Sequence, residues 1–520
     1  GEPAPVELAR RIHVLSDGNP LFAEELLAAE PMGGDDSTMP PKLRDLLSAR
    51  LAQVPDEVLA VLRVAAAAGR AIDDRLLSRA SGLEEDLVQR AVRAAVDEHI
   101  LVRTADPARP TYRFRHEIMR ALVASKLLPA ETASIHARFA TALTEQPPER
   151  QHDTEIADHW DAAGETERAL VAHLRAGERA TQTYAYGEAC DHFERALELW
   201  DHVPTAEALA GRTRVSVMDR AASTAARVGD FERAVELTES VIRRREEIDL
   251  ETFELARSSL RWYLWESGDI SAGLAEARAV VDDDARLPAR WRANALGHLA
   301  GLLLRDRQIG EAAEVAAQAH DAAMAAGAVE EQILAEGLLG WCLLLEGEID
   351  AGLDAIRRVV EATNAMDGGA LEGRYPVGPA LAHSHLASAL ELVGRFDEAQ
   401  EVAIEGAEAA ARQGVGRTFG SSLYAGAARA LYQLGRWDEA EAVASAAIED
   451  GAVGSGRVGL LAVRALLAVG RGERELARDA LQDADERIDE RTPLEVRRWL
   501  AAAHAELALW EGRAAEALSG

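Results

Sequence analysis

Lysine is nearly missing from this 520-residue chain, which carries only Lys42 and Lys126. A phosphate-binding P-loop runs into Gly-Lys-Ser/Thr, where backbone N–H groups cradle the phosphates and the lysine reaches the outer ones. Lys42 lies in Met39-Pro40-Pro41-Lys42 and Lys126 in Ser125-Lys126-Leu127, so this chain has no such lysine for binding ATP on its own. A Gly-x-Ser-x-Gly elbow and a His-Glu-x-x-His helix are also missing, and no catalytic constellation emerges. Cys190 and Cys342 are the only cysteines, far apart and each in an apolar helical pattern. They give neither a disulfide framework nor a four-ligand zinc site and read as small buried core residues. No apolar run approaches the ~18–20 residues that a membrane span needs. The N-terminal GEPAPVELARR lacks the apolar core of a signal peptide, so the expectation is a soluble, cytoplasmic chain without a membrane partner.

What the chain has in excess is acid. Its net charge is −32, which removes any general attraction for a nucleic-acid backbone. Residues 1–150 carry only −4 of this, so the acidity belongs to residues 151–520. That second part is Ala- and Leu-rich and written almost wholly at the helical period, whereas the first part contains the one convincing strand pair. The fold class is therefore mainly α, with two architectures in one polypeptide.

Helix-to-helix turns align at Gly229, Gly268, Arg307, Gly347, Gly394, Gly435 and Gly512, and a unit around Gly470 fits loosely. Seven residues before the turn a small residue recurs at Ala222, Ala300, Gly340, Ala387, Ala428 and Ala505. Glycine suits a left-handed helix cap, and the small residues let paired helices approach closely. The pattern resembles tetratricopeptide repeats, with spacings of 39, 39, 40, 47 and 41 residues, longer than the standard ~34. Such an array stacks into a right-handed superhelix whose concave side is lined by the first helix of each pair. Counting back from the turns places Ser258, Trp262, Trp265, Asn294, Gly297, Gly301, Gly337, Trp341, Ser384, Ser388, Arg429 and Tyr432 there. Tryptophans opposite glycines read either as an apolar small-molecule pocket or as packing between repeats. The longest spacing holds Thr363 to Pro379, which reads as a lid or as an insertion.

In the first part, Pro40-Pro41 opens a helix through Leu43, Leu46, Leu47 and Leu51, followed by helices at 56–67, 73–80 and 83–98. Ile100–Thr104 and Thr111–Arg115 then switch to period two and read as a hairpin packed on three helices, a winged-helix pattern. Glu84-Glu85-Asp86 and Asp97-Glu98 put the wrong sign on its third helix for phosphates, so a regulatory role is expected and no direct nucleic-acid binding.

The stretch Ser16-Asp17-Gly18-Asn19-Pro20-Leu21-Phe22, then Met39-Pro40-Pro41-Lys42-Leu43, then Tyr112-Arg113-Phe114-Arg115-His116-Glu117, with helical repeats after them, resembles the large ATP-binding transcriptional regulators of the LuxR type. These form the maltose-regulator class of signal-transduction ATPases with numerous domains. The resemblance implies residues 1–36 as the helical end of a nucleotide-binding module, 37–132 as the winged helix, 133–204 as a helical connector and 205–520 as the superhelix. It also implies that Gly18 and Pro20 close over the nucleotide, with the proline against the adenine, while His116 contacts the phosphates of ADP. The alternatives are a simple helix start for Pro20 and a hydrogen-bonded hairpin-end histidine for His116. ATP or ADP would be held only by the full-length protein, whose Walker segments and DNA-reading helix-turn-helix would lie outside residues 1–520. Self-association is then a property of that longer protein.

The function this implies is effector sensing, with a small-molecule inducer or a regulatory protein bound in the superhelix and relayed to the nucleotide switch. A protein-interaction scaffold and the regulatory arm of a nucleotide cyclase are the other readings. His383 and His385, two apart on a helix, read as surface histidines pointing to different faces. His13, His136, His159 and His173 show no carboxylate or cysteine partner at a recognisable spacing and read as structural. Asp282-Asp283-Asp284 and Glu246-Glu247 read as solvated helix ends and not as cation sites.

Overall fold

The computed structural model describes residues 41–104, 111–146, 152–282, 287–365, 378–488, 492, 494–513 and 517. The chain forms two compact units, residues 1–176 with 198–211, and residues 177–197 with 212–520.

In the first unit, α1 (Pro41–Leu51) and α2 (Asp56–Ala68) precede a two-residue strand β1 (Ile72–Asp73). The Asp73 carboxylate accepts a 2.8 Å hydrogen bond from the Leu76 N–H and so caps α3 (Asp74–Ser81), satisfying one of the helix's orphan donors. Next come α4 (Glu85–Asp97), β2 (Leu101–Arg103) and β3 (Thr111–Phe114). The hairpin pairs Leu101 with Phe114 and Arg103 with Tyr112, while β1 adds to the far side of β3 through Ile72 opposite Tyr112. This is the hairpin on three helices read from the sequence. The third strand is new: the sequence reading began a helix at Asp73, and two residues are too few to show a period. Leu47, Leu62, Ile72, Leu77, Val88 and Leu101 are almost wholly buried and make the core that joins helices to sheet. Helices α5 (Glu117–Ser125), α6 (Pro129–Thr144) and α7 (Asp153–Ala162) follow; α8 (Thr166–Gln182) runs on into the second unit, α9 (Tyr186–Trp200) belongs mainly to that unit, and the short α10 (Ala206–Ala210) belongs to the first.

The second unit is a tetratricopeptide-like stack of helix pairs: α11 (Arg214–Val228) with α12 (Phe231–Ile242), α13 (Leu250–Ser267) with α14 (Ile270–Asp282), and α15 (Ala289–Arg305) with α16 (Ile309–Ala326). It continues as α17 (Val329–Leu345) with α18 (Ile349–Ala365), α19 (Gly378–Leu392) with α20 (Phe396–Arg412), α21 (Ser421–Gln433) with α22 (Trp437–Glu449), and α23 (Gly454–Arg471) with α24 (Arg474–Asp485), then α25 (Leu494–Trp510). Few aromatics are available, so alanine fills the core; Ala222, Ala300 and Ala428 are buried where the sequence pattern asked for small residues. Gly340 shows why: a Cβ there would stand 3.0 Å from the Gly352 carbonyl oxygen of its partner helix. Each turn reverses through a left-handed residue, Gly229 at φ +89° and Gly268 at +80°, while Arg307 takes the same conformation at +63° without glycine's freedom. The loosely fitted unit turns at Gly472, φ +82°, and not at Gly470, which is packed against the Trp437 ring.

The stack meets itself. Arg227 Nη1 donates to Tyr186 Oη (2.8 Å), whose hydroxyl donates to the Gln413 carbonyl (3.3 Å), and Thr418 Oγ1 donates to the Arg227 carbonyl (3.3 Å). Thr418 belongs to a single π-helical turn, Gly416–Gly420, between α20 and α21. The repeats thereby curve around a hollow that is partly open to solvent.

Candidate functional site: the cavity of the repeat stack

Within the second unit lies a cavity of about 960 Å³. Its wall comes mainly from α13, α15, α17, α19 and α21, the first helices of their pairs, with the π-helical turn and the start of α23 completing it. Tightly repeated helices leave little room for large side chains, and Gly301 makes the space: a Cβ on it would stand 1.8 Å from Cζ3 of Trp265, so the indole lies directly on the α15 backbone. One turn later, the Arg305 guanidinium sits 5.3 Å over the same ring. Trp262 stacks on Phe419 at 6.3 Å and meets Phe231 edge-on at 5.8 Å, tying the wall to the closing turn. Trp341 meets His385 edge-on at 6.3 Å.

Polar groups are few. Ser384 and Ser388 face the hollow one turn apart on α19. Arg429 is buried and forked onto Glu391, Nε to Oε1 at 2.9 Å and Nη2 to Oε2 at 3.0 Å. Burial opposes its charge, yet Glu391 holds its pKa above the usual value. Burial and then the Arg261 charge push His298 down to about 3, and burial and then Arg305 push His385 down to about 4, so both are neutral hydrogen-bonding groups at pH 7. Ser258 Oγ lies 3.4 Å from His298 Nε2, behind the wall. Glu266, half-buried on the wall, has its carboxyl pKa raised by burial, with Arg305 opposing that rise. Such an apolar concavity with a few convergent polar groups is the usual makeup of a small-molecule site.

Of the residues read from the sequence, the structure brings Trp262, Trp265, Gly301, Trp341, Ser384, Ser388 and Arg429 to the cavity. Five others are corrected, Ser258 among them, which lies behind the wall beside His298. Asn294 is buried and accepts a 2.9 Å hydrogen bond from Arg261 Nη2, itself fully buried. Gly297 faces Leu334, and Gly337 faces Val359. Tyr432 stacks on Trp437 at 6.0 Å within the packing of the last repeats. These positions lie on helix faces turned to the neighbouring helix. Glu266, His298, Arg305, His385 and Phe419 were missed; the first four lie three or four residues from Trp262, Gly301 and Ser388, so a helical period could have found them.

The histidine expectations also change. His383 is buried, donating through Nδ1 to the Pro379 carbonyl at 2.7 Å, and His385 is on the cavity wall, so neither is a surface histidine. His136 and His159 share a 2.8 Å Nδ1 to Nδ1 hydrogen bond, one ring donating and the other accepting. His159 Nε2 is 3.7 Å from Glu155, which Arg70 grips at 2.6 and 2.8 Å, and His173 is 3.4 Å from Asp161. Carboxylate partners therefore exist, supplied by three-dimensional neighbours and by a four-residue helix step. His13, Gly18, Pro20, Asp283, Asp284 and most of the 363–379 loop lie outside the described residues. His116 is half-buried at the N-cap of α5, where its carbonyl accepts from Met119 and Arg120. Burial raises both thiols to about 11; Cys342 is buried as expected, whereas Cys190 is half-buried. Among the described residues no group of three His, Cys, Asp or Glu could hold a metal, and no helix is long and apolar enough to cross a membrane.

No family model matches the chain. An uncharacterized protein of Rhizobium meliloti (strain 1021) is 29% identical over 214 residues, 38% of this chain, and the chain spans about a fifth (20%) of that relative's length. Among solved structures, a signal-transduction ATPase with numerous domains and a tetratricopeptide-repeat sensor from Pyrococcus horikoshii aligns with 98% of this chain and 70% of its own at 13% identity and a TM-score of 0.35. A Rap protein complexed with Competence and Sporulation Factor aligns with 68% and 95% at 10% identity and a TM-score of 0.41. The quorum sensor NprR of B. thuringiensis aligns with 72% and 96% at 9% identity and a TM-score of 0.38.

Proposed function

We propose that this chain is the effector-sensing region of an ATP-dependent regulator of the LuxR type, with the cavity of the repeat stack as the effector site. The observation that carries this reading is a hollow of about 960 Å³ with three tryptophans on its wall, in a stack that meets itself through Tyr186, Arg227, Gln413 and Thr418. A ligand touching α13 to α21 at once prefers the state in which those helices surround it. Converting a 1:99 population of that state into 99:1 takes about 5.5 kcal/mol of differential binding, so assembly of the full-length protein contributes as well.

The winged-helix part of the proposal rests on the residues that carry the resemblance. Gly18, Pro20 and His116 would hold ADP in the full-length protein, and the place of His116 at the start of α5 suits a phosphate, since helix N-terminal N–H groups attract anions. ATP or ADP would supply the switch there, and this chain would act in the cytoplasm without touching nucleic acid. Equal retention of ADP by full-length protein after Pro20→Ala and His116→Ala, measured by calorimetry, contradicts this part.

Leu509 and Trp510, 57% and 54% exposed at the end of α25, favour a second reading as a protein-docking scaffold. Native mass spectrometry after incubation with a metabolite mixture separates the two: a retained small molecule supports sensing, and none supports docking. The regulatory arm of a nucleotide cyclase is the same module with different flanks.

A further inference from the structure

Of the three arginines on the cavity wall, two are satisfied: Arg429 binds Glu391 and Arg487 binds Asp483. Glu266 and Arg305 are different. Both are on the cavity wall, and among the described residues neither makes a hydrogen bond or an ion pair. Their charges do sense one another, since Arg305 opposes the rise in the Glu266 pKa. Arg305 is held in place by the Trp265 ring beneath it, which Gly301 in turn holds against α15. Its guanidinium is thus ordered before any ligand arrives, which lowers the cost of binding.

The two charges also discriminate. A lone anion drawn to Arg305 meets the Glu266 carboxylate, and a lone cation drawn to Glu266 meets Arg305. The wall as a whole carries five carboxylates against three guanidinium groups, so a polyanion is disfavoured. A molecule bearing both signs satisfies each group and leaves no charge buried alone.

We propose that the cavity takes a zwitterionic small molecule whose carboxylate binds Arg305 and whose ammonium group binds Glu266, with an apolar body resting against Trp262 and Trp341. This deepens the effector-site reading and rests on it. His385, kept neutral beside Arg305, and Ser384 and Ser388 supply uncharged hydrogen bonds around the headgroup.

The test uses three probes with one indole body and different charges: L-tryptophan, tryptamine and indole-3-propionate, titrated by calorimetry into the whole chain. Tryptophan is expected to bind at least about tenfold more tightly than either single-charge probe, one lost charge contact being worth a factor of that order. Arg305→Gln should level tryptophan with tryptamine, Arg305→Lys should restore most of the difference, and Glu266→Gln should level tryptophan with indole-3-propionate. Equal binding of all three probes, or an unchanged order in Arg305→Gln, overturns the headgroup assignment while leaving a ligand-binding cavity. Binding of none of the three also overturns it; the effector-site reading itself fails only if metabolite mixtures leave nothing bound in native mass spectrometry.

Discussion

The Trp265 indole lies on Gly301 so closely that a Cβ at 301 would stand 1.8 Å from Cζ3 and 2.3 Å from Cη2. Neither a helix backbone nor an indole on a packed wall yields that much, so the pair sets the width of the cavity. Gly301→Ala is expected to displace Trp265 and destabilise the chain by about 1–3 kcal/mol, the usual cost of overpacking. Urea unfolding followed by tryptophan fluorescence measures it, and unchanged stability with an unchanged spectrum contradicts the packing described.

Arg307 holds a left-handed turn conformation, φ +63°, at the place where Gly229, Gly268 and Gly347 sit in other repeats. Arg307→Gly is expected to stabilise the chain by about 1 kcal/mol, because the side-chain clash outweighs glycine's extra freedom in the unfolded state. A midpoint unchanged or lowered in denaturant speaks against strain at this turn.

Glu391 and Arg429 form the best-shielded ion pair on the cavity wall, with side chains 18% and 10% exposed. Glu391→Ala leaves a buried guanidinium without its fork partner and should cost about 3 kcal/mol. Thermal unfolding of this variant checks the figure, and a loss below about 1 kcal/mol, the value of an exposed pair, removes the claim that the pair is shielded.

His136 has its pKa pushed down to about 4 from 6.5 by burial and by His159, so the folded first unit binds fewer protons than the unfolded chain between those values. The stability this contributes is complete above about pH 6.5 and is lost as pH falls toward about 4. Glu155, held down at about 2 by His159 and Arg70 despite its burial, adds a second loss below about pH 4.5. His136→Gln should flatten part of the slope between pH 6.5 and 4, the remainder coming from His298 and His385, which move in the same direction. Parallel melting-temperature profiles for wild type and variant rule this out.

The repeats were legible because glycine turns and small residues at fixed offsets are statements about backbone geometry, and they hold in the pairs from α11 to α22 except for Arg307 at one turn and Arg261 at one small-residue position. Trp262, Trp265 and Trp341 were legible on the cavity side because one helical period fixes one face. Asn294, Gly297 and Gly337 were misplaced because a helix in such a stack presents one face to the hollow and another to its neighbours, and composition alone does not tell them apart. Phe419 and Thr418 were invisible for a different reason: they reach the wall from a π-helical turn that meets Arg227 and Trp262 across more than 150 residues of sequence, a contact with no local signature. The pairing of His136 with His159 is hidden for the same reason.

Whether the hollow is a binding site is tested most directly by native mass spectrometry of the intact chain after incubation with a metabolite extract, beside a Ser384→Trp variant that fills the cavity from α19. The account expects one small molecule bound per wild-type chain and none bound to the variant. An empty wild-type chain, or the same molecule held equally by both proteins, would contradict it.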